Sequence, residues 1–441
     1  MTGYARRLGL FSGTMAVVGG IIGGGIFRTP ASVAERAGSF GLTLAVWITG
    51  GVVALAGAFC FGELGARRPR AGGGYVYLRE TFGPLPAFLY GWTLLLVIAT
   101  GAIAAVAVLF ADYALALLGL PEGWTLPVAV ASVVVLSGIN YLGVRPGALT
   151  QNLFTVLKLL ALALLVGVGL AWAAPAVAAA PEPAAPRNAI VAFGAALVPV
   201  LFTYGGWQQT NFIAEEIVEP ERTLPRALVL GVVIVVAVYL SANLAYLRVL
   251  GLGGLAASTA PAAEVMERLL GPRGAGVIAA GIAVSSFGFL NLVILVTPRV
   301  LQAMAADGVF LPRLARLHPV YQTPTAAILL QACWAILLIL SGSFAQLVDY
   351  VTFGDWIFFG LTVAGLFVYR RRDRGAPATG FRTPGYPFTP ALFVFAAGYV
   401  VVSAIAANPR NAALGTLLIA LGVPVYAYWA RRARLARASH G

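Results

Sequence analysis

Apolar runs long enough to cross a lipid bilayer recur along the whole chain, which excludes an ordinary soluble fold. About twenty apolar residues are needed for a helix to cross roughly 30 Å of hydrocarbon. The chain is 60% hydrophobic and 10% charged, and its mean hydropathy is +0.89. We therefore predict an all-α membrane protein of twelve transmembrane helices, numbered here as spans 1 to 12: 10–36, 43–66, 84–113, 125–143, 148–172, 190–216, 225–250, 274–302, 325–341, 345–369, 389–407 and 411–430.

Arginine is concentrated between alternate spans. The net charge is +13, and with the N-terminus placed inside, 21 of the 28 arginines fall in cytoplasmic segments such as 67–79 and 370–382. An excess of basic residues marks the cytoplasmic side of a membrane protein. The sequence thus predicts a multi-pass protein of the inner (plasma) membrane with both termini cytoplasmic. The basic excess is explained by topology, so no nucleic-acid partner is expected.

The reactive and metal-binding side chains are few and scattered. Cys60 and Cys333 both lie inside predicted spans, so no disulfide-linked heavy subunit is expected. His318 and His440 are isolated in sequence, and neither a metal site nor a cofactor is predicted. Catalytic and phosphate-binding motifs are missing from the sequence. A membrane enzyme or sensor built on a transporter-like scaffold stays open as the alternative to the transport function developed below.

Two glycine-rich runs interrupt the middle of spans 1 and 6. They are GGIIGGG at 19–25 and YGGW at 204–207. Each belongs to the first helix of a five-helix group, at about 10–172 and 190–369, with two helices appended at about 389–430. Matching interruptions in two halves are typical of an inverted repeat. We predict one polytopic transport domain over residues 1–441.

Glycine allows a helix to unwind at mid-membrane, which frees backbone N–H and C=O groups for a ligand. A zwitterion suits such a site. Its carboxylate is attracted to the N-terminus of one half-helix, and its ammonium to the C-terminal carbonyls of another. The alternative interpretation of the glycines is close helix packing through small residues.

Further motifs extend over nearly the whole chain. They are GIIGGGIF at 20–27, PRAGGGYVYLRETFG at 69–83, GVR at 143–145, QNLFT at 151–155, FTYGGWQQ at 202–209, AEEIVEPERTLPRA at 214–227, NLAY at 243–246 and DGVFLP at 307–312. In these motifs the chain resembles the L-type amino acid transporter branch of the amino acid, polyamine and organocation (APC) superfamily. The resemblance implies a five-plus-five, LeuT-like inverted repeat with broken helices 1 and 6.

The resemblance also implies a substrate site. The backbone from Ile22 to Gly25 would hold the substrate carboxylate, and carbonyl groups near Gly20 and at 202–205 would hold its amine. Phe202 would act as an aromatic lid or gate. The full set of implied substrate-binding residues is Ile21, Ile22, Gly23, Gly24, Gly25, Phe202, Tyr204, Gly205, Trp207 and Gln208. Gly24 departs from the family, which commonly has a small hydroxyl residue there.

Lys158 is the single lysine of the chain and lies near the middle of span 5. At 1.5 Å per residue it lies about 15 Å into the helix, where burying an ammonium costs about 3 kcal/mol on insertion scales. Lysine supplies a compact point charge. The resemblance implies that this ammonium replaces the cation bound by sodium-coupled relatives, next to Gly20, Tyr239, Ser285 and Ser286. An inert, pore-facing lysine is the alternative.

Arg28 and Asp355 are predicted at similar depths, on the outer halves of spans 1 and 10. Unpaired charges at that depth are costly, which favours a pair between them or exposure to a water-filled vestibule. The arrangement resembles the outer gate of neurotransmitter:sodium symporters. Two alternatives remain: Arg28 binds an acidic substrate, or each residue pairs with other groups.

The resemblance therefore implies a sodium-independent secondary transporter (an antiporter or proton-coupled permease) of L-amino acids, working by alternating access. Neutral amino acids are the expected substrates because the pocket shows no clear counter-charge for a basic side chain. Cationic or acidic amino acids and polyamines are the rival substrates. The lipid bilayer and a small amino acid are the expected partners.

Overall fold

The chain folds almost entirely into helices. The computed structural model describes residues 3–171, 181–183, 186–342, 344–374 and 380–438, so His440 lies outside the described residues. Within that part, β pairing is limited to an isolated parallel bridge between Leu8 and Ile217. The predicted all-α membrane fold is confirmed.

Seventeen α-helices follow one another along the described chain. They are α1 (Leu10–Ile21), α2 (Gly25–Ala37), α3 (Phe40–Arg67), α4 (Gly74–Phe82), α5 (Pro84–Thr93), α6 (Ala99–Leu118), α7 (Thr125–Tyr141), α8 (Val144–Ala171), α9 (Ala189–Thr203), α10 (Pro220–Ala257), α11 (Pro261–Leu270), α12 (Pro272–Ala306), α13 (Thr325–Ser341), α14 (Phe344–Arg372), α15 (Phe388–Ala407), α16 (Pro409–Ala420) and α17 (Gly422–Ala438). A π-helical turn, Leu94–Ile98, joins α5 to α6. Short 3-10 segments cover Glu122–Trp124, Trp207–Glu216 and Pro312–Ala315.

Membrane-length helices account for most of the predicted spans. Among the described residues, nine helical stretches are long and apolar enough to cross a bilayer, and the bent pair α1 and α2 brings the number to ten. The two remaining predicted spans coincide with α13, which has 17 residues, and with α14. The multi-pass architecture is therefore confirmed, while the count of twelve crossings stays a prediction.

Local sequence explains where several of these helices begin and end. The side chain of Ser39 accepts a hydrogen bond from the Leu42 backbone at the start of α3, and the Asn188 side chain caps α9 in the same way. Proline occupies the first turn of α10 and α12, where its missing N–H costs nothing. Gly38 ends α2 in the left-handed region that glycine adopts without strain.

Two unwound segments interrupt the helices at the two glycine-rich runs. Between α1 and α2 the chain leaves the helix at Ile22–Gly24, and the two helices are bent by 46°. After α9, residues 204–206 form a turn that leads into the 3-10 segment. Gly206 has a φ of 112° in this turn, a conformation that side-chain-bearing residues rarely adopt. Both predicted interruptions are present as breaks in the helices.

The first break is enclosed by other helices. α1 packs against α8, α10 and α12, and α2 packs against α9 and α10. Behind the second break, Trp47, Tyr204 and Tyr239 pack with ring centroids 5.1 to 5.8 Å apart. This buried aromatic cluster gives the unwound backbone a rigid support.

Candidate substrate-binding site

A cavity of about 500 Å³ lies between the two helix breaks. Its wall is formed by the unwound segments together with side chains from the α5–α6 region, α12 and α14. This volume is within the range of pockets that enclose small organic ligands, about 300 to 1,000 Å³. The cavity is therefore large enough for an amino acid.

The beginning of α2 supplies an attractive place for an anionic group. Gly23 and Gly25 line the cavity, and α2 begins at Gly25. The first N–H groups of a helix have no partner inside that helix and carry the positive end of its dipole. A ligand carboxylate at this end of the cavity would be bound by backbone donors alone.

Backbone carbonyl groups of both breaks meet at the hydroxyl of Tyr239. This buried phenol lies 3.0 Å from the Ile21 carbonyl oxygen and 3.3 Å from that of Thr203. A single side chain therefore connects the C-terminal ends of α1 and α9. Carbonyl oxygens have two lone pairs, so both groups retain capacity for a ligand ammonium.

Phe202 and Gln208 shape the part of the wall contributed by the second break. Phe202 lines the cavity, and its ring makes a T-shaped contact with Trp356, with centroids 6.0 Å apart. Gln208 accepts a hydrogen bond of 3.0 Å from the Gly206 backbone through Oε1. That bond satisfies a backbone donor that the broken helix leaves free.

Lys158 lies just behind the first break and is fully buried. Its Nζ donates to the carbonyl oxygens of Ile22 at 2.7 Å, Ser285 at 3.2 Å and Gly19 at 3.3 Å. The Ser285 hydroxyl also donates to the Ile22 carbonyl, at 3.2 Å. One ammonium thus connects α8, the C-terminal end of α1 and α12. All three of its protons have acceptors, which offsets much of the cost of burying it.

Comparison with known proteins shows the family of the chain. The amino acid permease family profile matches residues 8–429. The chain belongs to the amino acid permease family. The permease is 34% identical to the mouse large neutral amino acids transporter small subunit 2, over 96% of its own length and 81% of the relative.

Bacterial and human relatives show similar identities. The serine/threonine exchanger SteT of Bacillus subtilis is 32% identical to the permease, over 96% of this chain and 97% of SteT. The human b(0,+)-type amino acid transporter 1 is 34% identical over 84% of this chain and 77% of that protein. The prediction of a transporter of the APC superfamily, and not an enzyme, is confirmed by these matches.

The cavity brings together seven of the residues implied by the resemblance and leaves others behind its wall. Those on the wall are Gly20, Ile21, Gly23, Gly25, Phe202, Gly205 and Gln208. Gly24 is turned towards Leu109 of α6, and Ile22 is fully buried. Tyr204 and Trp207 line a much smaller neighbouring cavity. Ser286, beside Ser285, is buried with a hydroxyl that has no partner among the described residues.

Arg28 and Asp355 are not brought together in this conformation. Arg28 lines a separate cavity of about 70 Å³ with Tyr113 and Thr259, whereas Asp355 lines the central cavity. None of the ion pairs found in the described part of the chain includes either residue. An outer gate formed by this pair stays a prediction about another conformation of the permease.

Several cavity residues were not predicted from the sequence. Tyr90 and Phe289 reach the wall from α5 and α12, and Gln209 and Phe212 come from the 3-10 segment. Gln209 ends the FTYGGWQQ motif, which was the one available signal. The positions of Tyr90 and Phe289 depend on which face of each helix meets the breaks.

A buried ion pair joins the 3-10 segment to α12 at one end of the site. Arg299 and Glu216 are both fully buried, with nitrogen to oxygen distances of 2.7 and 3.2 Å. The Glu216 carbonyl also accepts from the backbones of Arg7 and Leu8, at 2.9 and 3.0 Å. The segment before α1 is therefore fixed against the end of the 3-10 segment.

Proposed function

We propose that this permease is a sodium-independent secondary transporter of neutral L-amino acids that works by alternating access. The observation that carries the proposal is the position of Lys158. Its ammonium is bound by three carbonyl oxygens at the break between α1 and α2. The positive charge required at this break is thus built into the chain.

A bound metal cation at this place would need the same oxygen ligands. Lys158 Nζ already fills the space between the carbonyl groups of Ile22 and Ser285. Gly288 packs close to the same atom, since a Cβ added at Gly288 would lie only 3.5 Å from Nζ. An added cation would be repelled by the ammonium at short range. Transport without sodium follows from this arrangement.

The residues that line the cavity and the names of the relatives both support neutral amino acids as the substrates. Apart from Asp355, the described lining residues are uncharged, with glycine backbone and aromatic rings prominent among them. One relative is named for large neutral amino acids, and another is a serine/threonine exchanger. We infer exchange as the transport mode, with proton-coupled uptake as the rival.

Membrane topology and assembly complete the proposal. Both termini lie in the cytoplasm, because that orientation puts most arginines inside. The permease works without a disulfide-linked heavy subunit, although one relative is named as a small subunit. Cys60 is buried in α3 and Cys333 lies on an exposed face of α13, so neither thiol lies in a loop that an outer subunit could reach.

Exchange in proteoliposomes tests the proposal. Purified permease is reconstituted into vesicles loaded with an unlabelled amino acid, and the entry of labelled serine, threonine, leucine or alanine is followed in choline buffer. We expect rapid entry only when the vesicles contain substrate and permease. A membrane sensor or enzyme on the same scaffold would give no flux above that of protein-free vesicles.

A further inference from the structure

Asp355 is the one charged side chain among the described residues that line the central cavity. It lies on α14 next to Trp356, and Tyr90 lines the same cavity. No hydrogen bond or ion pair to Asp355 is found within the described part of the chain. A carboxylate therefore faces the ligand space without a partner.

Neither Lys158 nor Arg28 neutralises Asp355. Lys158 donates to three carbonyl groups behind the first break, and Arg28 lines a different cavity. An unpaired carboxylate at membrane depth is costly, and such residues are commonly functional. The charge of Asp355 thus calls for a positive group that enters the cavity from outside the chain.

Gln209 supplies a second acceptor among the residues that line the cavity. Its side-chain oxygen Oε1 is buried and accepts no hydrogen bond from any described residue. A buried acceptor without a donor is uncommon in proteins and demands an explanation. A ligand ammonium offers three N–H donors and a guanidinium five, so either group has enough donors for both acceptors.

We propose that Asp355 and Gln209 form a subsite for the cationic side chain of a basic L-amino acid, one that ends in an ammonium or a guanidinium. This rests on the proposed amino acid transport and extends its substrate class from neutral to basic amino acids. The helix breaks bind the carboxylate and amine of the substrate backbone, while its side chain extends towards α14. The aromatic rings of Trp356 and Phe359 also line the cavity, and aromatic rings attract a nearby cation.

The expectation of neutral substrates had assumed that the pocket lacks a counter-charge, and the structure supplies one. A neutral amino acid still fits a cavity of about 500 Å³, with water next to Asp355. A basic amino acid replaces that water with a charge-assisted hydrogen bond, which is stronger than a neutral one. The permease therefore accepts both classes and binds basic amino acids more tightly.

The subsite is tested by measuring the exchange of labelled L-arginine, L-lysine and L-leucine by reconstituted permease. Three proteins are compared: the parent, Asp355→Asn and Gln209→Leu. Asp355→Asn keeps the shape of the side chain and should lower arginine and lysine exchange about tenfold or more, with leucine changed less than threefold. Gln209→Leu should lower the exchange of basic substrates severalfold. Asp112→Asn is the matched control, because Asp112 carries the same charge on an exposed part of α6.

The outcomes separate this inference from the proposed function. Parent permease that exchanges leucine but neither arginine nor lysine would overturn the subsite and leave neutral transport intact. Equal losses of leucine and arginine in Asp355→Asn would assign the carboxylate to the substrate amine or to folding. Leucine uptake driven by a proton gradient and lost in Asp355→Asn would make the group a proton carrier. Failure of the parent to exchange any amino acid would remove the proposed function and the subsite with it.

Discussion

The backbones of Gly20 and Gly206 approach closely where both line the substrate cavity, so that the two helix breaks meet there. A Cβ added at Gly20 would lie 2.9 Å from the Gly206 carbonyl oxygen, and a Cβ at Gly206 would overlap the carbonyl of Gly20. The contact leaves no room for a side chain at either position. The two unwound segments therefore form one binding surface although 186 residues separate them in sequence.

Gly206→Ala should abolish exchange, because the new methyl group would force the two breaks apart and the positive φ of 112° adds strain. The measurement is exchange by reconstituted protein, with recovery from size-exclusion chromatography as the test of folding. Gly83→Ala is the matched control. Gly83 has a φ of 94° but no atom within 4 Å of an added Cβ, so this variant carries strain without collision and should retain exchange. Equal losses in both variants would mean that strain alone is responsible.

Tyr239→Phe should weaken substrate binding while leaving the fold intact, because it removes the hydroxyl that connects the carbonyl groups of Ile21 and Thr203. The phenol has a single O–H to share between these two acceptors, and its loss is worth about 0.5 to 1.5 kcal/mol, which predicts a rise of about twofold to twelvefold in the apparent Kd. The apparent Kd is measured from substrate binding to purified protein. Tyr246→Phe loses one bond, to Ile26 within α2, and should have a smaller effect. A larger effect at Tyr246 would contradict the role of the Tyr239 hydroxyl.

Arg299→Met should destabilise the permease, since it leaves the buried Glu216 carboxylate without its partner. Breaking a buried ion pair in this way costs about 3 to 5 kcal/mol. The double variant Arg299→Met with Glu216→Leu removes both charges and should recover much of that loss. Thermal unfolding of detergent-purified protein measures both. A double variant less stable than the single one would mean that Glu216 is stabilised by groups other than Arg299.

Hydropathy predicts the membrane helices well because the bilayer imposes a length and a composition on each one. Predicted span 3, at 84–113, begins where α5 begins and ends five residues before α6 does. The short helices α4 and α11 were not predicted. With 9 and 10 residues, they are too short to cross a membrane, and their sequences mix polar and apolar residues.

The glycine runs predict where the backbone unwinds, but they do not determine which side chains face the ligand. Depth along a helix follows from residue counts, and these counts predicted a similar membrane depth for Arg28 and Asp355. Rotation around the helix axis depends on packing with neighbours, and in the structure these residues line different cavities. Gln209 and Tyr90 were missed for the same physical reason.

The central claim is that the Lys158 ammonium provides the charge that sodium provides in coupled relatives. The most direct measurement compares exchange by parent permease and Lys158→Met at increasing sodium, with choline keeping the ionic strength constant. The account predicts that the parent rate is the same at every sodium concentration. It also predicts that Lys158→Met, which leaves the carbonyls of Gly19, Ile22 and Ser285 without their donor, loses at least about tenfold in rate. A parent rate that rises steeply with sodium, or full activity of Lys158→Met in choline, would contradict the account.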